Sequence, residues 1–194
     1  AIAGAVLLGI CEPQMTGIGG DCFILFSPSG SDEIMSMNGS GSAPSLANAN
    51  DLRDRNLSSI PLDSPHAVTI PCAIDAFCKL SEDWGTLGLD TILQPAIHYA
   101  THGVPIAERV AYDLAETTEK LNSAGKEFYL PWGRAPNVGE LFAHPGQVKV
   151  LKEIAKHGRD GFYSGEVAED MVNSLQKLGG VHSMDDFSSM EAFY

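Results

Sequence analysis

Six histidines (His66, His98, His102, His144, His157 and His182), four cysteines and one serine-glycine loop are the residues from which a reactive centre could be assembled in this chain. His98 and His102 stand four apart in a predicted helix, a spacing that puts two imidazoles on one face as metal ligands, but no glutamate lies between them to complete HExxH. The histidines therefore read as surface or packing residues. Cys11, Cys22, Cys72 and Cys78 show neither CxxC spacing nor paired histidines, and Cys72 and Cys78 fall on different faces of any helix that joins them. They read as buried free thiols, and no metal or cofactor is expected.

Serine chemistry fares no better. A nucleophile elbow needs G-x-S-x-G on a strand-to-helix turn, and Gly39-Ser40-Gly41 lacks that spacing. Three glycines in Thr16-Gly17-Ile18-Gly19-Gly20-Asp21 permit positive φ and close backbone approach, which invites comparison with a phosphate cradle. The order is wrong for one, because these glycines follow a helix and precede a strand, whereas dinucleotide and P-loop turns do the reverse. The loop Asn38-Gly39-Ser40-Gly41-Ser42-Ala43-Pro44 offers small donors and acceptors on a pliable backbone. Asn38, Ser40 and Ser42 are its candidate substrate-binding residues, and a plain turn is the alternative. No catalytic constellation lies within these residues.

The elements that must carry this loop can be read from apolar spacing. Residues 1–11 are apolar nearly all round, so a helix covered on several sides is predicted. Cys22 to Phe26 and Glu33 to Met37 flank a Pro-Ser-Gly turn and predict a hairpin over 22–37, with its first strand covered on both faces. Ser, Gly, Asn and Pro dominate 38–65, a surface connection with one short helix near 46–52. A strand is predicted at 66–71, then helices at 74–85, 89–102, 105–122, 146–157 and 164–178. The chain reads as one incomplete domain over 1–194, with helix, hairpin and loop in 1–72 and a mainly helical region in 73–194. It opens inside an apolar helical run and closes directly after a helical-looking segment with no tapering tail, so sequence is expected beyond both ends.

Composition narrows the function classes. The formal net charge is −13, with 12 Lys and Arg against 25 Asp and Glu. That excess of acid offers no basic footprint for nucleic acid or for an anionic membrane. No apolar run reaches the roughly 20 residues of a membrane helix.

Taken in order, Glu12-Pro13, Thr16-Gly17-Ile18-Gly19-Gly20, Phe23 to Phe26, Ala43-Pro44 and His66-Ala67-Val68-Thr69-Ile70-Pro71 resemble successive blocks of the gamma-glutamyltranspeptidase family. The resemblance continues through Leu93-Gln94-Pro95-Ala96-Ile97, Gly103-Val104-Pro105-Ile106, Gly158 to Glu166 and Leu178-Gly179-Gly180, and so covers nearly the whole chain. It implies an α+β fold, part of the αββα sandwich of an N-terminal-nucleophile hydrolase with an added helical region. It also implies a precursor that cuts itself, a smaller subunit as partner, and attack by that subunit's N-terminal Thr on a gamma-glutamyl or other small-molecule amide. Family members are usually periplasmic or secreted.

Two departures qualify the resemblance. The attacking Thr has no counterpart here, so no catalytic residue is expected in the segment, and the alternative is a binding or structural module that keeps the fold without the chemistry. In addition, the family's Arg-Glu pair, whose Arg grips the substrate α-carboxylate, aligns with Ser40 and Gly41. That replacement points to a different amide or acyl substrate, as in acylase-like members. Cys72 stands where the family commonly has Gly, which implies local repacking.

Overall fold

A computed structural model describes residues 1–194, which divide into two compact units. The first contains residues 1–17 and 90–152, the second 18–89 and 153–194.

In the first unit α1 (Ile2–Cys11) packs on α5 (Gln94–His102). Ile2, Val6, Gly9 and Ile10 form the buried face of α1, while Leu8 is half exposed. One covered face thus replaces the several expected, because α5 is the one neighbour that α1 packs on extensively within this unit. A Cβ on Gly9 would stand 3.2 Å from the Gly17 Cα, so the missing side chain at Gly9 lets the loop after α1 fold back closely onto it. None of Gly17, Gly19 and Gly20 adopts positive φ, and a Cβ on Gly17 or Gly19 would meet no atom within 4 Å, so neither left-handed freedom nor crowding requires glycine at those two positions.

The predicted helix at 89–102 is divided into α4 (Leu89–Ile92) and α5. Pro95 sits in the first turn of α5, where its missing N–H costs nothing but cannot continue a preceding helix. The helix predicted at 105–122 is shorter for a similar reason. Val104 and Pro105 form strand β3 opposite Phe142 and Leu141 of β4 (Leu141–Phe142), so α6 (Glu108–Thr117) starts only after the extended Ala107. Ile106, Val110, Leu114 and Phe142 form a buried cluster there. A short α7 (Ser123–Tyr129) follows, capped by the Asn122 side chain on Gly125 N–H.

The second unit holds the hairpin. β1 (Cys22–Phe26) pairs antiparallel with β2 (Met35–Gly39), with Ile24 opposite Met37 and Phe23 opposite Asn38. Alternation sends Cys22, Ile24 and Met37 inward, where they meet Cys72, Ala76, Leu80 and Ala192. Cys72 and Ala76 come from α3 (Ala73–Trp84) and its N-cap, the helix that backs the sheet. The other face is open: Phe23 and Leu25 are 74% and 75% exposed. The expected cover on both faces is therefore present on one only, since within this unit the strand has a single helical layer behind it.

The remaining helices of this unit are α2 (Ala49–Asp54), α9 (Asp160–Tyr163), α10 (Gly165–Lys177) and α11 (Met184–Ser188), while α8 (Pro145–His157) begins in the first unit. Where a strand was expected at 66–71, residues Pro65–Ala67 form one 3-10 turn, started by Pro65 and capped by the Ser64 hydroxyl on His66 N–H. Only the last part of that stretch is extended, and it lies against the Ser42 carbonyl through Ile70 N–H.

Candidate functional site

The loop from Asn38 to Ser42 leaves the end of β2, and each of its bonds can be traced to a sequence feature. Asn38 has the side chain of a turn-former: its Oδ1 accepts the Ser40 N–H at 2.9 Å, which folds the chain sharply out of the strand. On its backbone, Asn38 exchanges two hydrogen bonds of 2.7 and 3.1 Å with Phe193. Gly41 N–H donates to Asp21 Oδ1 at 2.8 Å, and the Ser42 carbonyl accepts Ile70 N–H at 2.9 Å. Beyond the loop, Ser45 N–H donates to Asp186 Oδ1, a carboxylate that also closes the capping box of α11 with Ser183. Burial pushes the Asp186 carboxyl up, but the hydrogen bonds from Ser45 and Ser183 outweigh it and leave it below its ordinary value.

The two glycines are there for space. A Cβ on Gly39 would lie 2.7 Å from Ala76 Cβ, and one on Gly41 would lie 1.8 Å from the Ile70 carbonyl oxygen. Position 41 therefore admits no side chain at all with this backbone. The residues read from sequence as substrate-binding are gathered here: Asn38 and Ser40 are half-buried and Ser42 is exposed. Ser42 Oγ lies 3.9 Å from the Met190 sulfur. Asn38 also shares the open face of the hairpin with Phe23, its cross-strand partner.

A cavity of about 280 Å³ starts at Ala43 and Pro44 and is walled by Leu46, Leu52, Arg55 and His66. His182, almost fully buried at its edge, points Nε2 at the Val68 carbonyl 2.9 Å away. His98 and His102 do stack on α5, with ring centroids 4.3 Å apart, but no third His, Cys, Asp or Glu joins them in a group able to hold a metal. The four cysteines are free thiols. Burial pushes the Cys72 thiol up to about 11 and the Cys78 thiol up to about 12, so neither supplies a thiolate near neutral pH.

One group of functional interest escapes the sequence reading. Asp75, only 4% exposed, forms an ion pair with Arg159 and accepts the Ala192 N–H on its other oxygen at 2.7 Å. Arg159 continues to the carbonyls of Ser188 and Met190 and lies over the Tyr163 ring. The Tyr163 hydroxyl donates to the Pro71 carbonyl at 2.8 Å and accepts the Asp75 N–H at 3.1 Å. An acid in the first turn of an otherwise apolar helix face was the available signal, because such a residue is buried only when paired.

A helix-backed antiparallel hairpin, ending in a small polar loop and accompanied mainly by helices, defines a mixed helix-and-strand protein. The chain belongs to the gamma-glutamyltranspeptidase family, whose model matches residues 1–193. It is 32% identical over 194 residues to the glutathione hydrolase-like YwrD proenzyme of Bacillus subtilis, with 97% of this chain and 36% of that protein covered. Among solved structures, cephalosporin acylase from Bacillus halodurans superposes with a TM-score of 0.94 at 30% identity, over 100% of this chain and 37% of that one. Helicobacter pylori gamma-glutamyltranspeptidase gives 0.93 at 26% identity, over 99% of this chain and 56% of that one. The chain thus spans little more than a third of its relative from B. subtilis.

Proposed function

We propose that these residues are part of the larger subunit of a self-processing amide hydrolase or acyltransferase whose substrate is not held through a γ-glutamyl α-carboxylate. The observation that carries this reading is the loop itself. Ser40 is neutral, and Gly41 is pressed against the Ile70 carbonyl, so the family's Arg-Glu pair has no room for its second member. A charge-assisted hydrogen bond to a carboxylate contributes about 1.5–3 kcal/mol, and a serine hydroxyl cannot replace the charge.

In the reaction proposed, the hydroxyl of an N-terminal Thr on a smaller subunit attacks the amide carbonyl carbon, and its own α-amine takes the proton. Hydrogen-bond donors stabilise the oxyanion. The amine leaves with a proton, an acyl ester remains on Thr, and water or an acceptor amine releases it. Asn38, Ser40 and Ser42 take part in binding the acyl portion. That the chain belongs to a family with proenzymes and an acylase among its members supports this division of labour.

The open face of Phe23 and Leu25 supports the rest of the architecture. We assign it to a second sheet supplied by the smaller subunit, which completes an αββα sandwich in which 1–194 form one part of a single domain. The test is turnover by the full-length, processed protein of two anilides that differ only in an α-carboxylate. Preference for the neutral anilide supports the reading, and strong preference for the γ-glutamyl anilide contradicts it.

A further inference from the structure

We propose that Asp75 and Arg159 are positioning residues for the Asn38–Ser42 loop, acting through the chain segment Met190–Phe193. This rests on the proposed function only for its kinetic consequence, because the geometry stands without a substrate.

Three stretches distant in sequence meet at the pair. Asp75 stands in the first turn of α3, Arg159 precedes α9, and residues 188–192 supply two carbonyls and one N–H. Every one of these contacts on the last stretch is to its backbone, so the pair fixes where that backbone runs and not which side chains it bears. The segment passes directly from Ala192, held by Asp75, to Phe193, which is paired with Asn38. Asn38 in turn holds the Ser40 N–H. Tyr163 meanwhile ties Pro71 to the first turn of α3, and Ile70 next to it holds the Ser42 carbonyl. Both ends of the loop are thus referred to one ionic network, the upstream end through Phe193 and the downstream end through Ile70.

Stability alone gives a poor account of such a pair. Burying two charges carries a desolvation penalty that often cancels their attraction, and apolar residues of similar volume can hold a core at least as well. What apolar residues cannot do is accept a main-chain N–H and donate to two main-chain carbonyls at fixed positions. The pair therefore has a role that packing does not supply, and the segment that it fixes is the one that borders the loop.

The experiment uses the full-length precursor, with Arg159→Lys and the double variant D75L/R159M beside wild type. Lysine keeps a cation but cannot span the Ser188 and Met190 carbonyls, while the double variant leaves no lone buried charge and so guards against simple misfolding. Hydrogen exchange followed by mass spectrometry reports on peptides covering 36–42 and 94–102. In both variants, exchange in 36–42 should accelerate by about tenfold or more while 94–102 stays unchanged. For a neutral acyl anilide, KM should rise by about tenfold with kcat within about threefold, the signature of lost binding geometry. A folded double variant with wild-type exchange across 36–42 overturns the proposal, as does equal acceleration in both peptides. If wild type itself turns over no anilide, the proposed function fails alone, and the exchange data still decide the positioning role.

Discussion

At the scale of single residues, the loop shows how far side-chain type constrains chemistry. Gly41 is the tightest case, because the Ile70 carbonyl occupies the place of its Cβ. Gly41→Ala should destabilise the protein by about 1–3 kcal/mol, the usual range for overpacking. In a chain of this size that lowers Tm by roughly 2–4 °C per kcal/mol, and calorimetry that finds Tm unchanged would show the backbone to be free to move there. Ser40, by contrast, already carries a side chain, is half-buried, and is the residue to change for specificity. In the processed enzyme, Ser40→Arg should raise kcat/KM for a γ-glutamyl anilide by up to about tenfold to a hundredfold, the kinetic equivalent of one charge-assisted contact. No rise, together with a good signal for the neutral anilide, would mean that the guanidinium finds no carboxylate from this position. The choice of Asn38, Ser40 and Ser42 could be made from sequence because small polar residues after a strand announce a loop. Asp75 and Arg159 could not, because they stand 84 residues apart, their main-chain partners lie 29 to 117 residues from them, and no local pattern encodes such pairs.

Secondary elements were legible in proportion to how local their causes are. The hairpin, α3, α8 and α10 follow from apolar period and turn residues, and the structure places them within a few residues of the expected bounds. The errors cluster at prolines. Pro65 turns an expected strand into a 3-10 turn, Pro95 separates α4 from α5, and Pro105 belongs to a strand whose partner lies 36 residues later in sequence. Apolar period cannot see these partners, and a two-residue strand leaves no alternation to read. Between elements, His144 caps the entry to α8: its carbonyl accepts Val148 N–H, its N–H meets the Ala100 carbonyl, and its ring stands edge-on to Phe142 at 4.6 Å. Burial pushes this imidazole below its ordinary value, with a backbone contact at Ile10 pulling the other way. The unfolded chain therefore takes up a proton at higher pH than the folded one. The stability contributed by neutral His144 is fully present above about pH 6.5 and is lost as pH falls through the lower folded value. Tm should drop more between pH 7.5 and 5.5 in wild type than in His144→Phe, and equal slopes would remove His144 from the account.

For the molecule as a whole, the open face of the hairpin is the feature that sequence and structure read differently. A strand that is apolar on both faces predicts cover on both, and this chain provides α3 on one side only. The discrepancy is informative under the proposed architecture, because the missing layer then belongs to the smaller subunit. Phe23→Asp with Leu25→Asp should leave the helical circular dichroism of the 194-residue chain unchanged but prevent a full-length precursor from maturing, since two carboxylates cannot be buried against an apolar sheet without partners. Normal maturation of that variant would place the second sheet elsewhere. The 194-residue chain on its own should release no chromophore from acyl or γ-glutamyl anilides, because no nucleophile is expected among its residues.

The central claim is that the nucleophile arises by self-cleavage beyond these residues, and intact-mass spectrometry with N-terminal sequencing of the purified full-length protein tests it most directly. The account predicts two fragments, the larger containing residues 1–194 and the smaller beginning with Thr. A single uncleaved chain that hydrolyses anilides, or a smaller fragment headed by a residue without a nucleophilic side chain, would contradict it.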